Sequence, residues 1–135
     1  MFVGKAELLH EQGWCMSLLP HLHIELDRLR ALADQIRASG SVAPAHCWIE
    51  DYVVKRNDKE YHYKRVNGDR PQFGAAGRAH TLHLGKAGSP KHRDWQQQLH
   101  RRDTLTEINR RAALIQQLIE REVSHPLDNL NFLQP

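Results

Sequence analysis

The fold is decided by the stretch HCWIEDYVVKRNDKEYHYKRV, residues 46–66. Two runs rich in Val, Ile, Tyr and Trp flank the pair Asn57-Asp58, and residues of these types favour β-strands. Asn and Asp tolerate the left-handed backbone conformation that a two-residue hairpin turn requires. The stretch therefore predicts a β-hairpin in which Asn57 and Asp58 are the two central turn residues.

This turn position also predicts which side chains share a face of the hairpin. It places Val54 opposite Tyr61, Tyr52 opposite Tyr63 and Glu50 opposite Arg65, and neighbours along a strand alternate between faces. One face then carries Trp48, Tyr52, Val54, Tyr61 and Tyr63, and the other carries Ile49, Val53, His62, Lys64 and Val66. We expect a helix to bury the face with Trp48, Tyr52 and Tyr63, which leaves the His62 and Lys64 side in solvent. The alternative, in which the tyrosines are exposed for binding, stays open.

The residues that follow predict a loop and a third strand. NGDRPQFGAAGR, residues 67–78, holds three glycines and a proline, which is typical of an exposed, mobile loop. AHTLHLG, residues 79–85, has the composition of a short strand. Together with the hairpin it predicts a three-stranded antiparallel β-meander over residues 46–85.

Two long helices are predicted on either side of this meander. In the first, over residues 21–39, five apolar residues recur at heptad spacing: Leu22, Leu26, Leu29, Ala33 and Ile36. The second, over residues 90–123, begins with the capping residue Ser89 and with Pro90 at the first helical position. Its seam consists of Trp95, Leu99, Arg102, Leu105, Ile108, Ala112, Ile115 and Ile119. At 1.5 Å per residue this helix is about 50 Å long.

These elements predict one α+β domain, in which two long, antiparallel, coiled-coil-like helices flank a small three-stranded antiparallel sheet. A short helix over about residues 5–12 is predicted within the N-terminal segment 1–20. The C-terminal tail, residues 124–135, carries Leu127, Leu130, Phe132 and Leu133. These apolar residues either fold back on the helices or form a docking motif for a protein partner.

Composition excludes several classes of protein. Of the 135 residues, 40% are hydrophobic and 26% are charged, which is typical of a folded domain. No apolar run approaches the roughly 18 residues that a membrane span requires. The two cysteines, Cys15 and Cys47, predict no disulfide framework, and the N-terminus lacks the pattern of a secretory signal. We therefore expect a cytoplasmic protein without a membrane partner.

The positive charge is concentrated in the middle of the chain. The net charge is +3, but residues 55–102 hold twelve Lys and Arg against four Asp and Glu, a local charge of +8. A local excess of this size attracts polyanions. The predicted partner is therefore a nucleic acid, DNA or RNA, although a basic surface that is merely solvated stays an alternative.

The basic and aromatic residues of the hairpin, the loop and the start of the last helix form the predicted interface. A two-stranded ribbon can enter a major groove, tyrosines can stack on unpaired bases, and a helix N-terminus favours phosphate. The predicted binding residues are Lys55, Arg56, Lys59, Tyr61, His62, Lys64, Arg65, Arg70, Arg78, Lys86, Ser89, Lys91 and Arg101.

Catalysis, cofactors and metal binding are not predicted. The pairs His21/His23 and His80/His83 have spacings that point their rings in different directions on a helix or strand. Neither cysteine has a partner at zinc-ligand spacing. Arg93 and His100 resemble the Arg-x(4–6)-His pattern of the nucleic-acid-cleaving HEPN domains, but those domains are all-helical, whereas this sequence predicts a sheet.

One further resemblance rests on the order of elements over residues 48–102. This region consists of three strands, the run Tyr-His-Tyr-Lys-Arg at residues 61–65, a Leu-Gly pair that ends the third strand at residues 84–85, and a following helix. In this order of elements it resembles the arm-type DNA-binding domains of phage and transposon integrases. The resemblance implies a sheet that binds DNA and is backed by a helix. It covers less than half of the chain and includes no recombinase catalytic segment, so it implies binding without catalysis.

A second function is compatible with the same surface. A protein-interaction adaptor or inhibitor, such as a regulator from a phage or a mobile element, would bind an acidic protein surface through the same face. The long last helix has more apolar surface than the first helix can cover, so the N-terminal helix, the sheet or a second copy of the chain, in a homodimer along this helix, must cover the rest.

Overall fold

In the computed structural model, which describes residues 18–126, the chain has an α+β layout. The elements in chain order are α1 (Leu18–Ser39), β1 (Cys47–Arg56), β2 (Lys59–Gly68), β3 (Thr81–Gly85) and α2 (Pro90–Ser124). The three strands form one antiparallel sheet in the order β1-β2-β3. The predicted α+β class, with two helices and a three-stranded antiparallel sheet, is confirmed. The predicted short helix over residues 5–12 and the apolar residues of the tail lie outside the described residues.

The predicted hairpin register is confirmed. Tyr52 pairs with Tyr63 and Val54 with Tyr61, within ten consecutive antiparallel pairs from β1 to β2. The backbone φ angles of the two turn residues are +52° at Asn57 and +64° at Asp58. Both lie in the left-handed region that the favoured two-residue hairpin turn requires. The turn therefore determines which side chains share a face.

β3 covers only part of β2. It pairs with the segment from Lys64 to Asn67, with a bulge between Lys64 and Arg65, and it begins at Thr81 rather than at residue 79. Beyond Lys64 the hairpin continues as a two-stranded ribbon, residues 52–63, which we call the arm. Among the described residues, the arm's backbone therefore pairs only within itself, and both of its faces are more open than the base of the sheet.

The prediction that Trp48, Tyr52 and Tyr63 form the buried face is wrong. The core cluster contains Cys47, Val66 and Leu84, and half-buried Ile49, Leu82, Trp95 and Leu99 pack against it. The helix α2 therefore covers the face with Ile49 and Val66, which we call the inner face. Its opposite, the outer face, carries Trp48 and the tyrosines. The reason is that β3 presents Leu82 and Leu84 on the inner side and the polar Thr81 and His83 on the outer side.

The loop between β2 and β3 is anchored in this core. Phe73 is only 6% exposed, and its ring meets that of Trp95 edge to face with 5.9 Å between the ring centroids. Backbone hydrogen bonds in both directions join Phe73 to Ala79. The prediction of an exposed loop over residues 67–78 is therefore wrong at Phe73 and at residues 67–68, which belong to β2, and it is confirmed for residues 74–78, which are all exposed.

The described chain divides into two compact units. The sheet unit comprises residues 36–106, and the helical unit comprises residues 18–35 together with residues 107–126. In the helical unit five residues of the predicted seams are buried: Leu26, Leu29, Ala33, Ile108 and Ile119. Helix α1 begins at Leu18, three residues before the predicted start, with Pro20 in its first turn. Among residues 18–126, no helix combines the length and the apolar character that a membrane crossing requires.

Candidate nucleic-acid interface

The charged side chains on the inner face of the hairpin are paired with each other. Lys64 donates a hydrogen bond to Asp51, and the Lys55 Nζ lies 3.7 Å from a carboxylate oxygen of Glu60. The His62 Nε2 lies 3.8 Å from the other oxygen of Glu60. The hydrogen bond from Lys64 lowers the pKa of Asp51 below its ordinary value. The basic residues of the inner face are thus largely neutralised by carboxylates of the same face.

The outer face has a different charge distribution at its tip. Arg56 and Lys59 are directly opposite each other across the turn, on the same face as Tyr52 and Tyr63. Both side chains are exposed, and neither forms an ion pair within the described residues. The only acid between them is Asp58 in the turn itself. The tip of the outer face therefore presents two cations that no carboxylate of the described chain neutralises.

A hydrogen-bond network occupies the base of the outer face. The Glu50 carboxylate accepts hydrogen bonds from the Arg65 Nε at 2.7 Å and from the Trp48 Nε1 and the Asn67 Nδ2, each at 3.2 Å. Asn67 in turn accepts a hydrogen bond of 2.9 Å from the hydroxyl of Thr81. The bond from Arg65 is the main reason that the pKa of Glu50 is lowered. The polar groups at the base of this face are therefore engaged with one another.

Aromatic rings fill the centre of the outer face. The ring of Tyr52 lies 5.6 Å from that of Tyr63 and 5.4 Å from that of His83, measured between centroids. The guanidinium carbon of Arg65 lies 4.9 Å from the Tyr52 centroid, which is a cation–π distance. The largest exposed aromatic surfaces are at the two ends of the face, where Trp48 is 45% exposed and Tyr61 is 38% exposed.

Four further basic residues of the predicted interface are exposed and form no ion pair in the described part of the chain: Arg70, Arg78, Lys86 and Lys91. Arg70 and Arg78 belong to the loop between β2 and β3, while Lys86 and Lys91 flank the start of α2. The sheet unit as a whole holds thirteen Lys and Arg against seven Asp and Glu, a charge of +6. The structure therefore distributes unpaired cations over several parts of this unit.

Ser89 has a structural role at the start of α2. Its hydroxyl accepts a hydrogen bond from the backbone N–H of His92 at 3.2 Å and donates one to the carbonyl of Leu84 at 2.8 Å. The buried ring of His92 accepts a hydrogen bond from the N–H of Gly88 at 2.9 Å. The helix cap predicted at Ser89 is thus present, and its hydroxyl is already occupied within the chain.

Arg101 and Arg102 also bind their own chain. The Arg101 guanidinium donates hydrogen bonds to the carbonyls of Ser39 and Ser41 at 3.3 and 3.0 Å. Arg102, which the seam pattern placed among apolar residues, donates to the carbonyls of Pro44 and Cys47 at 3.0 and 2.8 Å. These two residues fasten the connector before β1 to α2, and the heptad spacing alone could not reveal that role.

Cys47 lies in the core of the sheet unit beside Arg102. Burial raises the pKa of its thiol above the ordinary value, although the nearby guanidinium acts in the opposite direction. A protonated, buried thiol is a poor nucleophile. The structure therefore assigns Cys47 to packing.

Arg93 and His100 line one shallow depression of about 400 Å³ on α2, together with Gln96, Gln97 and Arg101. All five residues belong to one helix, and the lining contains neither a carboxylate nor a thiol. Within residues 18–126, no three His, Cys, Asp or Glu side chains lie close enough together to hold a metal ion.

Sequence reasoning did not include two residues of the outer face, Trp48 and His83, in the predicted interface. A signal for Trp48 was present, because the hairpin alternation places it on the same face as the tyrosines. His83 joins them only through the pairing of β2 with β3, where it faces Arg65. No family model, curated protein or solved structure matches this chain. The resemblance to integrase domains therefore gains no support from them.

Proposed function

We propose that the protein is a non-catalytic nucleic-acid-binding protein that uses its sheet unit as the binding surface. One observation carries this proposal: Arg56, Lys59, Arg70, Arg78, Lys86 and Lys91 are exposed and have no acidic partner within the described residues. Cations without a carboxylate partner keep their full charge, and together they give this unit a positive potential that attracts polyanions.

The physical basis is the release of counterions from the phosphate backbone. Each phosphate that a lysine or arginine neutralises releases condensed cations, which favours binding and makes it sensitive to salt. Cations already paired within the protein contribute less, because the partner carboxylate must first be displaced. On this basis Arg56 and Lys59 contribute more to affinity than Lys55 and Lys64.

The predicted interface divides into three groups under this proposal. The first group, the unpaired cations, contacts phosphates. Exposed Tyr61 and His62 lie near two of these cations, Arg56 and Lys59, on opposite faces of the arm. Lys55, Lys64 and Arg65 are paired with carboxylates and contribute mainly to folding and to the local potential. Ser89 and Arg101 stabilise the chain and lie outside the proposed contact surface.

The helical unit is proposed to be a support rather than a contact surface. The finer arrangement of this unit, an antiparallel, coiled-coil-like helix pair, is supported by an apolar depression of about 510 Å³ that Leu18 and Leu22 line together with Leu118 and His125. Residues at the beginning of α1 and at the end of α2 thus share one surface. Exposed Leu114 and Leu118 on α2 support the predicted homodimer, which sedimentation velocity tests.

A fluorescence-anisotropy titration with labelled oligonucleotides at 50 and 200 mM salt tests the binding proposal. The double variant Arg56→Glu, Lys59→Glu should weaken binding by at least about tenfold at 50 mM salt and reduce the salt slope by about two, since two phosphate contacts are removed. Both positions are exposed strand ends, so the circular dichroism spectrum should stay that of the parent protein.

The matched control is the double variant Arg30→Glu, Arg121→Glu, which changes the net charge equally at exposed positions of the helical unit. Its binding should stay close to that of the parent. Equal loss in both variants would show that only the total charge matters. Absence of binding to every single-stranded and duplex oligonucleotide at 50 mM salt would refute the proposal.

A further inference from the structure

The outer face of the hairpin combines two properties that the inner face does not combine. It has exposed aromatic surface, at Trp48 and Tyr61, and it carries the unpaired cations Arg56 and Lys59. Within the described residues, α2 packs on the inner face, and the rings of the outer face remain partly exposed. From this combination we infer that the outer face is a stacking platform for single-stranded nucleic acid. The inference rests on the proposed function and specifies its ligand.

The spacing of the platform suits successive bases of one strand. Trp48 lies at one end and Tyr61, which pairs with Val54, at the other. Val54 is six positions along the strand from Trp48, which corresponds to roughly 20 Å. Between these ends, the guanidinium of Arg65 lies over the ring of Tyr52 at 4.9 Å. Bases stack on aromatic rings and also on arginine planes, so the face offers about three stacking positions in a row.

The charges complement a strand laid along this row. Arg56 and Lys59 lie beyond Tyr61 at the tip, and Arg70 follows the end of β2 beside the other end of the face. Stacked bases would contact the rings while the phosphates between them meet these cations. On the inner face, by contrast, Lys55 and Lys64 already meet carboxylates, and the remaining exposed apolar side chain is aliphatic Val53.

The base of the outer face is poorly suited to reading a duplex. Base edges in a groove are read by free hydrogen-bond donors and acceptors. Here the three polar side chains at the base of the face, those of Glu50, Asn67 and Thr81, bond to one another or to their neighbours. Stacking needs base faces, which a duplex buries between its base pairs. The platform therefore selects unpaired strands and discriminates little between their sequences.

The test measures the affinity for a labelled 15-nucleotide oligothymidine strand and its oligouridine counterpart, beside a duplex of equal length. We expect each single strand to bind at least about tenfold more tightly than the duplex at 150 mM salt. Trp48→Ala and Tyr61→Ala should each weaken single-strand binding by about tenfold, the usual effect of losing one stacked base. Trp48→Phe and Tyr61→Phe retain a ring and should restore most of the affinity.

The matched control is Val53→Ala, which shortens a side chain that is 46% exposed on the inner face. Its affinity should equal that of the parent. Inorganic polyphosphate, which has the charge of a strand but no bases, should compete with oligothymidine at least about tenfold more weakly per phosphate, because it offers nothing to stack.

Three results would overturn the inference. Equal affinity for single strand and duplex, unchanged in Trp48→Ala and Tyr61→Ala, would leave the proposed function standing and remove the platform. Dissociation of a dimer by these two variants, measured by sedimentation velocity, would show that a second copy of the chain covers the face. Absence of any nucleic-acid binding at 50 mM salt would remove both the platform and the proposed function.

Discussion

The two faces of one hairpin are built from the same two strands, yet they have different roles in this structure. The inner face buries aliphatic Val66 against α2 and pairs Lys64 with Asp51. The outer face keeps Trp48 and Tyr61 exposed, and within residues 18–126 it leaves Arg56 and Lys59 unpaired. The largest aromatic side chains of a small sheet therefore need not lie on the face that packs against the core.

The third strand determines which face of the hairpin the helix buries. A helix buries the side on which all three strands are apolar, because burial of polar groups without partners costs free energy. Leu82 and Leu84 extend the aliphatic surface of Val66 on the inner side. On the outer side, His83 meets the hydroxyl of Tyr52 at 3.0 Å, so this side remains half polar.

The largest expected effect is a loss of stability from truncation of the inner face. Leu84 is 2% exposed, and Leu84→Ala should lower the free energy of unfolding by about 3 kcal/mol, because it removes buried contacts and leaves a cavity. Tyr61→Ala on the outer face should lower it by less than about 1 kcal/mol. Denaturant unfolding followed by circular dichroism measures both values. Equal losses would mean that the outer face is packed as tightly as the inner one.

Removal of Arg102 should have the next largest effect. Arg102→Met keeps most of the side-chain volume but leaves the carbonyls of Pro44 and Cys47 without their donor. The expected loss is about 2 kcal/mol of unfolding free energy, since unsatisfied buried acceptors are costly. Arg93→Met, at an exposed position of the same helix, is the control and should be nearly neutral. A neutral result for Arg102→Met would show that water replaces the guanidinium without cost.

Substitutions in the turn test how strictly the turn determines which side chains share a face. Asp58 has a φ of +64°, where glycine is less strained than any residue with a Cβ. Asp58→Gly should therefore stabilise the hairpin by roughly 0.5 kcal/mol, and Asp58→Val should destabilise it by about 1 kcal/mol or more. Thermal unfolding measures both changes. A stabilised valine variant would indicate that the turn can change its type, and a change of turn type can exchange the faces.

The smallest expected effect concerns acid stability. Because Asp51 has a lowered pKa in the folded protein, its ion pair with Lys64 contributes stability above the ordinary aspartate pKa of about 4. That contribution is lost as the pH falls through the lowered folded pKa. In Asp51→Asn the unfolding free energy should therefore be lower than in the parent at pH 6, and the two curves should converge toward pH 2. Parallel curves over this range would show that the pair has no net effect on stability.

The sequence predicted the elements better than the orientation of the sheet. Asn57-Asp58 and the alternation around it gave the correct register, and the spacing of Leu26, Leu29 and Ala33 gave the correct buried side of α1. Both are local properties of strand and helix geometry. The anchoring of Phe73 was missed because glycines on both sides of it are typical of a free loop, and its partner Trp95 lies on a distant helix.

For the candidate site, too, the sequence predicted the local features and the tertiary structure determined the rest. The sequence by itself determined that the middle of the chain is basic and that Trp48, Tyr52, Tyr61 and Tyr63 share one face, since charge and alternation depend only on the residues and the turn. Only the tertiary structure decided that this face points away from α2. It also decided that, in the part of the chain that the structure describes, Lys55 and Lys64 are paired while Arg56 and Lys59 are not. The physical reason is that burial and ion pairing depend on which surfaces pack together. For this sheet, the buried face is determined by α2, a helix that lies far along the chain from the hairpin.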